Sequence, residues 1–300
     1  MKSGADIIEQ PHNHTMFRPP AEKDSVLLRV ADGCPHNSCA FCGMYRGVRY
    51  RMHELMEVQE RIARAAAHNP LARRVFLADG DALALPDTHV LAVLDLLARA
   101  FPRLTRVSCY ASGHSIRRLT EKSLRLLRAA RLRTLYMGLE SGSEAVLQQM
   151  GKRDSASDMI LACQRAQSLG LVVSVMVLLG AGGAVLSAEH VAASARAVNA
   201  MQPKMLSCLR LVPVPGTPLW NWVRSGRFAL VSEAGAVREL YQFVAALDLH
   251  GTVFRADHSS NSLPVAGRLP ADKARLMDEL REALDAGIFD EKGPGMVSAL

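Results

Sequence analysis

Cys34-Pro35-His36-Asn37-Ser38-Cys39-Ala40-Phe41-Cys42 puts three of the six cysteines within nine residues, directly behind the apolar run Val26-Leu27-Leu28-Arg29-Val30. Cys109, Cys163 and Cys208 stand alone in the sequence. Such a cluster in the loop after a buried strand is a metal or iron–sulfur site, a redox pair, or an accident. Three local thiolates spaced x4 then x2 can hold three corners of a cubane and leave one iron open. They can also supply most of a zinc site, with His36 or His53 as fourth ligand. Neither histidine has the usual paired spacing with another ligand. Phe41 beside the cysteines suits an aromatic or adenine-like ligand.

Outward from that loop the chain alternates between two periods. Short apolar runs at 25–31, 74–78, 106–110, 134–138, 171–179 and 205–212 read as six strands. Between them, apolar positions recur at helical spacing over 51–68, from Asp87 as N-cap, from Thr120 as N-cap, after Gly142-Ser143, over 154–169 and over 187–201. Six strands alternating with helices predict an α/β fold with a parallel sheet and right-handed crossovers. An open doubly wound sheet and a partial barrel both satisfy this pattern. In either, the functional groups belong in the loops after the strands.

The rhythm changes after Pro218. Residues 219–248 read as mainly helical, and 251–268 as loop or short strand. Pro270 suits the first position of a last amphipathic helix carrying Leu276, Leu280 and Leu284. The expected organisation is an irregular lead-in over 1–24, a core over 25–220 and a mainly helical extension over 221–300, frayed after Gly293-Pro294.

Composition narrows the function classes. An apolar fraction of 49% is ample for a large core, and no uncharged apolar run is long enough to span a membrane. The first residues carry no apolar signal core, so a cytoplasmic protein is expected, where clustered thiols bind metal more readily than they pair. Net charge is +7, and residues 103–133 carry nine Lys/Arg against one acid, Glu121. That run is either a nucleic-acid surface or a solvated helix face, and no aromatic interleaving supports stacking on bases.

The loop C-P-H-N-S-C-A-F-C-G-M-Y resembles the cluster loop of the radical S-adenosylmethionine (radical SAM) superfamily. The resemblance implies a partial (βα)6 TIM-like barrel, a [4Fe–4S] cluster on Cys34, Cys39 and Cys42, and SAM on the open iron. It implies reductive cleavage of SAM to a 5′-deoxyadenosyl radical that abstracts a substrate hydrogen. The x4-x2 spacing is a minority variant of the commoner x3-x2.

Later segments resemble the superfamily in the same order. Asp79-Gly80-Asp81, after the second strand, sits where the family has a Gly-Gly-Glu-like motif whose backbone and acid contact the SAM amino group. Gly138-Leu-Glu140-Ser141-Gly-Ser143 resembles a segment of the methylthiotransferase and oxygen-independent coproporphyrinogen-oxidase-like branches, with Glu140 at the ribose-binding position. Lys152 falls where those branches place a basic residue near the SAM carboxylate. Gly180, in Gly180-Ala-Gly-Gly183, lies where backbone approaches adenine. Pro215-Gly-Thr-Pro-Leu219 resembles a turn of the same branches. Two departures stand out: Met176 replaces an acid before Gly180, and G-A-G-G replaces G-F-P-G.

Substrate-facing candidates are Tyr110 and His114 after the third strand, Arg210 on the sixth, and His258 and Asn261 in the extension. Expected partners are a small-molecule substrate, porphyrin-like or carboxylated, and an electron donor such as flavodoxin or ferredoxin. With the first strand beginning near residue 25, no cobalamin-binding domain ahead of it and none of the flanking modules of the methylthiotransferases are expected. The rival readings are a zinc-stabilised nucleic-acid-binding protein and a radical SAM RNA-modifying enzyme.

Overall fold

Residues 16–291 are described by the computed structural model, and the ends of the lead-in and tail expectations lie outside them. The described chain divides into two compact units. The first takes residues up to Asn37, Met44–Tyr136 and Arg165–Val172; the second takes Ser38–Gly43, Met137–Gln164 and residues from Val173 on.

In the first unit, β1 (Val26–Arg29) is shorter than the apolar run. The chain turns off at Val30, and β2 (Ala31–Asp32) pairs antiparallel with β3 (Arg51–Met52). That ribbon ties together the two ends of the cysteine loop. It also corrects the start expected for the next helix: α1 (Leu55–His68) begins behind a capping box made by Glu54 and Glu57. β4 (Arg74–Ala78) pairs parallel with β1, Val26 opposite Val75. α2 (Asp87–Ala100) is capped by Pro86, and Asp87 is its first residue. The Asp87 carboxylate accepts from Thr88 N and from Ser123 Oγ.

β5 (Arg106–Tyr110) lies parallel to β4. α3 (Gly113–Arg118) and α4 (Glu121–Ala129) follow, capped by Ser112 and Thr120 as side-chain acceptors. β6 (Leu132–Glu140) pairs with β5. Val75, Phe76, Leu77 and Val107 are wholly buried, as expected for strands covered on both faces.

The lead-in is more than a lead-in. A 3-10 turn at Pro20–Glu22 buries Glu22, which accepts from Tyr136 Oη at 2.8 Å, Arg106 Nη2 at 3.0 Å and Ser25 Oγ at 2.5 Å. Three of the nine basic residues of the run are engaged inside this unit. Arg106 meets Glu22, Arg118 Nη2 donates to the carbonyls of Leu83, Ala84 and Leu85, and Arg128 Nε donates to Gly170 O.

In the second unit, β6 leads into α5 (Glu144–Gln149) and α6 (Ala156–Ser168). β7 (Val172–Leu179), α7 (Gly183–Met201) and β8 (Met205–Arg210) follow, with Ser174 opposite Met205 and Leu179 opposite Arg210. α8 (Pro218–Arg224) and α9 (Glu233–Ala246) open the extension. The extension is mainly helical, as expected, and also carries two strands. β9 (Thr252–Ala256) joins β8 in parallel and β10 (Val265–Leu269) turns back antiparallel on β9. Thr252, Phe254 and Ala256 are buried and alternate with half-buried Val253 and Arg255, a period-two pattern too short to stand out in the sequence. α10 (Lys273–Asp285) starts three residues after Pro270, which lies in the preceding turn.

The eight long strands are ordered β1-β4-β5-β6-β7-β8-β9-β10; each neighbour pair among β1, β4, β5 and β6, and among β7, β8 and β9, is parallel, and β10 is antiparallel to β9. The fold is α/β with strand order following chain order.

Candidate active site

In the first unit, Cys34 meets the end of β4. Gly80 N donates to Gly33 O at 3.0 Å, and a Cβ on Gly80 would strike the Cys34 Cβ and lie 2.8 Å from its Sγ. Only glycine leaves the sulfur this room. Asp79, beside it, holds a φ of 73°, a strained conformation for a non-glycine residue. Its carboxylate is fixed by Arg29 Nε at 2.8 Å, in a pair almost entirely buried. Arg29 is also 3.9 Å from Asp32, which receives His53 Nε2 at 3.0 Å and Arg51 Nε at 3.2 Å. Burial pushes the Asp32 carboxyl up, and His53 and Arg51 together bring it below the usual range. His53, considered as a zinc ligand, is therefore wholly buried against Asp32.

The Asp81 carboxylate is engaged by protein donors. Oδ1 accepts from Leu83 N at 3.1 Å; Oδ2 accepts from Ser112 N at 3.2 Å and Ser115 Oγ at 2.6 Å. The carboxylate stitches the loop after β4 to the start of α3, and three protein donors occupy it. Burial pushes its pKa up against the pull of those donors. Tyr110 packs edge-on against Phe76, ring centroids 5.1 Å apart, and burial pushes its phenol up. His114 lies exposed on α3.

In the second unit, the turn carrying Cys39 and Cys42 is held by backbone. Cys42 N donates to Cys39 O, Ala40 N to Met150 O at 2.8 Å, and Leu219 N to Ala40 O at 3.0 Å. A Cβ on Gly43 would lie 2.6 Å from Val214 Cγ1, and one on Gly151 would lie 2.9 Å from Ser38 O. The P-G-T-P-L segment is therefore a wall of the cysteine turn. Phe41 packs, partly buried, against the apolar cluster that contains Val146, Met150, Leu211 and Leu219.

Glu140 ends β6 with a φ of 63°. Its side chain curls back over Gly138, where any Cβ would strike Oε1. Lys152 Nζ donates to Gly138 O at 2.9 Å and stands 3.4 Å from Glu140 Oε1. Burial works against the ammonium, but Glu140 and the nearby Cys39 outweigh it and its pKa is raised. Met150 and Gly151, packed on the cysteine turn, and Lys152, paired with Glu140, thus link that turn to the acid after β6.

Ser141 faces inward. Its hydroxyl accepts from Ser143 N at 3.0 Å and meets His190 Nδ1 at 2.8 Å. His190 is buried and its pKa falls to about 4, chiefly through burial. Gly142 packs so closely on α7 that a Cβ would strike Ala193 O. Ser141 and Gly142 therefore anchor the turn behind Glu140. His190 was not legible as a site residue, since a lone histidine in a helix carries no spacing signal.

After β7, Gly180 has a φ of 81° and its N–H donates to Glu239 Oε2 at 2.6 Å; Ser187 Oγ donates to Oε1 at 2.5 Å. Glu239, on α9, is a second residue that sequence reasoning missed.

At the end of β8, Arg210 N donates to Ser260 Oγ and Arg210 Nη1 to Ser262 Oγ, each at 3.1 Å. Glu233 shares Ser262 and supplies countercharge. His258 Nδ1 accepts from Ser260 N at 3.1 Å, which leaves its ring proton on Nε2. Asn261 Nδ2 donates to the carbonyls of Cys208 and Ala256, both at 2.9 Å. Asn261 is thus a tie between β8 and β9, and its amide hydrogens are used there.

All six cysteines are thiols. Cys34, Cys39 and Cys42 are half-buried; the other three are wholly buried, and burial pushes their thiols up, that of Cys163 to about 12. A cysteine ligates iron as its thiolate, and the three less buried cysteines are those of the loop. Among the described residues no three His, Cys, Asp or Glu side chains converge on one metal ion. A cubane takes one thiolate per iron, around a cluster rather than a point. The bare flank of Gly80 beside Cys34 fits such a group.

The radical SAM superfamily model matches residues 28–193, more than half of the chain. The chain belongs to the radical SAM superfamily. Its chemistry rests on a [4Fe–4S] cluster and SAM. Heme chaperone HemW of Bacillus subtilis (strain 168) is 21% identical over 189 residues, 62% of this chain and 49% of its own. Coproporphyrinogen III oxidase HemN from Escherichia coli, a radical SAM enzyme, superposes with a TM-score of 0.55 at 16% identity, covering 74% of this chain and 51% of that one. The radical SAM methyltransferase TsrM from Kitasatospora setae, with cobalamin and a [4Fe–4S] cluster bound, gives 0.54 at 18% identity over 86% and 61%. These superpositions identify the fold as the partial TIM-like barrel of the superfamily. This chain spans about half the length of the curated relatives it matches. No helix among the described residues is long and apolar enough to cross a membrane.

Proposed function

We propose that the protein is a radical SAM enzyme acting on a small molecule, with Cys34, Cys39 and Cys42 as cluster ligands. The observation that carries this is the segment 150–152, where Met150 O accepts from Ala40 N of the cysteine turn and Lys152 Nζ stands 3.4 Å from Glu140 Oε1. One short segment thus connects the cysteine turn to the position that resembles a ribose contact. Bound at Cys34, Cys39 and Cys42 and reduced by an external donor, a [4Fe–4S] cluster would supply the one electron needed for reductive cleavage of SAM, the source of the radical that abstracts a substrate hydrogen.

The chain's own groups have these roles. Glu140 accepts from the ribose hydroxyls. Lys152 orients Glu140 and faces the SAM carboxylate. With the Asp81 carboxylate engaged by Leu83, Ser112 and Ser115, the SAM amino group falls to the backbone around Gly80. Phe41 and the glycines from Gly180 flank the adenine. Arg210 and the Nε2–H of His258 are the donors for a carboxylated substrate. A porphyrin-like substrate draws support from the names of two relatives, a heme chaperone and a coproporphyrinogen oxidase. The internal use of Arg106, Arg118 and Arg128 speaks against the basic run as an RNA surface. An electron donor such as flavodoxin or ferredoxin completes the system in the cytoplasm.

Anaerobic reconstitution tests the reading. The expected product is brown protein with about four iron and four sulfide per chain, forming 5′-deoxyadenosine from SAM and a reductant. A colourless protein that forms none would refute it.

A further inference from the structure

Glu239 is 2% exposed, and the groups that act on its carboxyl are Ser187 and Gly180, neither of them charged. A carboxylate buried with only neutral donors costs more than an apolar residue of the same size. Packing alone therefore gives no reason for an acid at this place on α9. Its two oxygens reach two different elements: Oε2 takes the first amide after β7, and Oε1 takes the hydroxyl of Ser187 in the opening turns of α7.

The consequence for the turn is geometric. The Leu179–Gly180 peptide is held from both sides, its carbonyl by Leu211 N at 2.8 Å and its amide by Glu239 at 2.6 Å. Gly180 O then accepts from Gly183 N at 2.9 Å, and Ala184 N donates to Ala229 O at 2.8 Å. Gly180 and Gly183 have φ of 81° and 58°, and a Cβ on Gly183 would lie 2.8 Å from Ala229 O. The turn is thus enclosed by the segment before α9 and fastened by α9 itself, both beyond the family-matched residues 28–193.

We propose that Glu239 is a positioning residue for SAM, fixing the Gly180–Gly183 turn so that the C-terminal extension sets SAM affinity. This rests on the reading of that turn as part of the SAM site. A glutamine keeps both contacts, since its oxygen accepts from Gly180 N and its NH2 donates to Ser187 Oγ. Alanine removes both.

The test compares wild-type, E239Q, E239A and S187A proteins after anaerobic reconstitution. Iron and sulfide content, thermal midpoint, SAM binding by equilibrium dialysis and hydrogen exchange over residues 178–187 are measured. E239A is expected to keep its iron, to exchange faster at Gly180, and to bind SAM about tenfold more weakly, the usual scale for losing a hydrogen bond to a charged group. E239Q should bind within about twofold of wild type, because geometry rather than charge is kept. If E239A fails to fold, S187A, which cuts one arm only, should weaken SAM binding by a few-fold with iron content unchanged. Wild-type protein that holds iron but no SAM overturns the functional reading and this inference with it. Wild-type protein that binds SAM, with E239A or S187A binding equally well, overturns the inference alone, as does E239Q binding as weakly as E239A.

Discussion

Lys152 Nζ lies 3.4 Å from Glu140 Oε1, and both side chains are only 16% exposed. The pair is held by backbone as well as charge, because the same ammonium takes Gly138 O at 2.9 Å. Replacing Lys152 by methionine keeps the apolar stem and removes the cation. K152M should bind SAM about tenfold more weakly, the scale of one charged hydrogen bond, with cluster content maintained. Equilibrium dialysis against reconstituted protein checks this, and unchanged affinity would remove Lys152 from the site.

Gly80 gives a second prediction. Its backbone lies so close to Cys34 that a methyl group would collide with the cysteine Cβ and crowd Sγ at 2.8 Å. G80A should move Cys34 and lower iron content per chain well below that of wild type. Its φ is not in the left-handed region, so the effect belongs to the contact and not to backbone strain. Iron analysis after identical reconstitution decides, and full occupancy would show that the loop has slack.

Asp81 separates a structural from a ligand-binding acid. Alanine there strands Leu83 N, Ser112 N and Ser115 Oγ. D81A should lose about 3 kcal/mol of stability, as expected for a buried network cut at its hub. D81N keeps an acceptor and should lose less. In both, the folded fraction should bind SAM as wild type does. Urea melts and dialysis report these separately, and a selective loss of SAM affinity at wild-type stability would return Asp81 to the ligand.

What the sequence made legible follows from how local each signal is. β4 and β5 were read to the residue, since Arg74–Ala78 and Arg106–Tyr110 are short apolar runs bounded by charge or turn residues. The Cys34–Cys42 loop was legible because its three cysteines lie in one stretch. β9 was legible only as loop or short strand, because Arg255 interrupts a five-residue strand whose partner β8 lies more than forty residues away. Glu239, His190 and Glu22 were hidden for the same reason. Each is a single polar residue whose meaning comes from a partner distant in sequence: Gly180, Ser141 and Tyr136. Asp81 shows the converse, a residue in the expected position whose carboxylate is claimed by a neighbouring helix.

Glu239 also makes stability depend on pH in a direction opposite to most carboxylates. Burial raises its pKa from 4.5 to about 7 against the pull of Ser187 and Gly180. Between those values the native chain holds a proton that the unfolded chain has released. Stability then falls as pH rises through this window, and the whole loss is present above pH about 7. A shift of this size corresponds to a difference on the order of 3 kcal/mol. His190 acts in the other sense. Its pKa drops from 6.5 to about 4, so the unfolded chain binds the extra proton and stability is lost as pH falls through that range. Because the two windows overlap, the wild-type profile alone does not separate them, whereas the difference between E239Q and wild type does. That difference should be near zero at pH about 4.5 and grow in favour of E239Q up to about pH 7, where it levels off. Urea unfolding of both proteins across this range, without cluster, measures it, and a difference independent of pH would mean that the Glu239 carboxyl is ionised throughout.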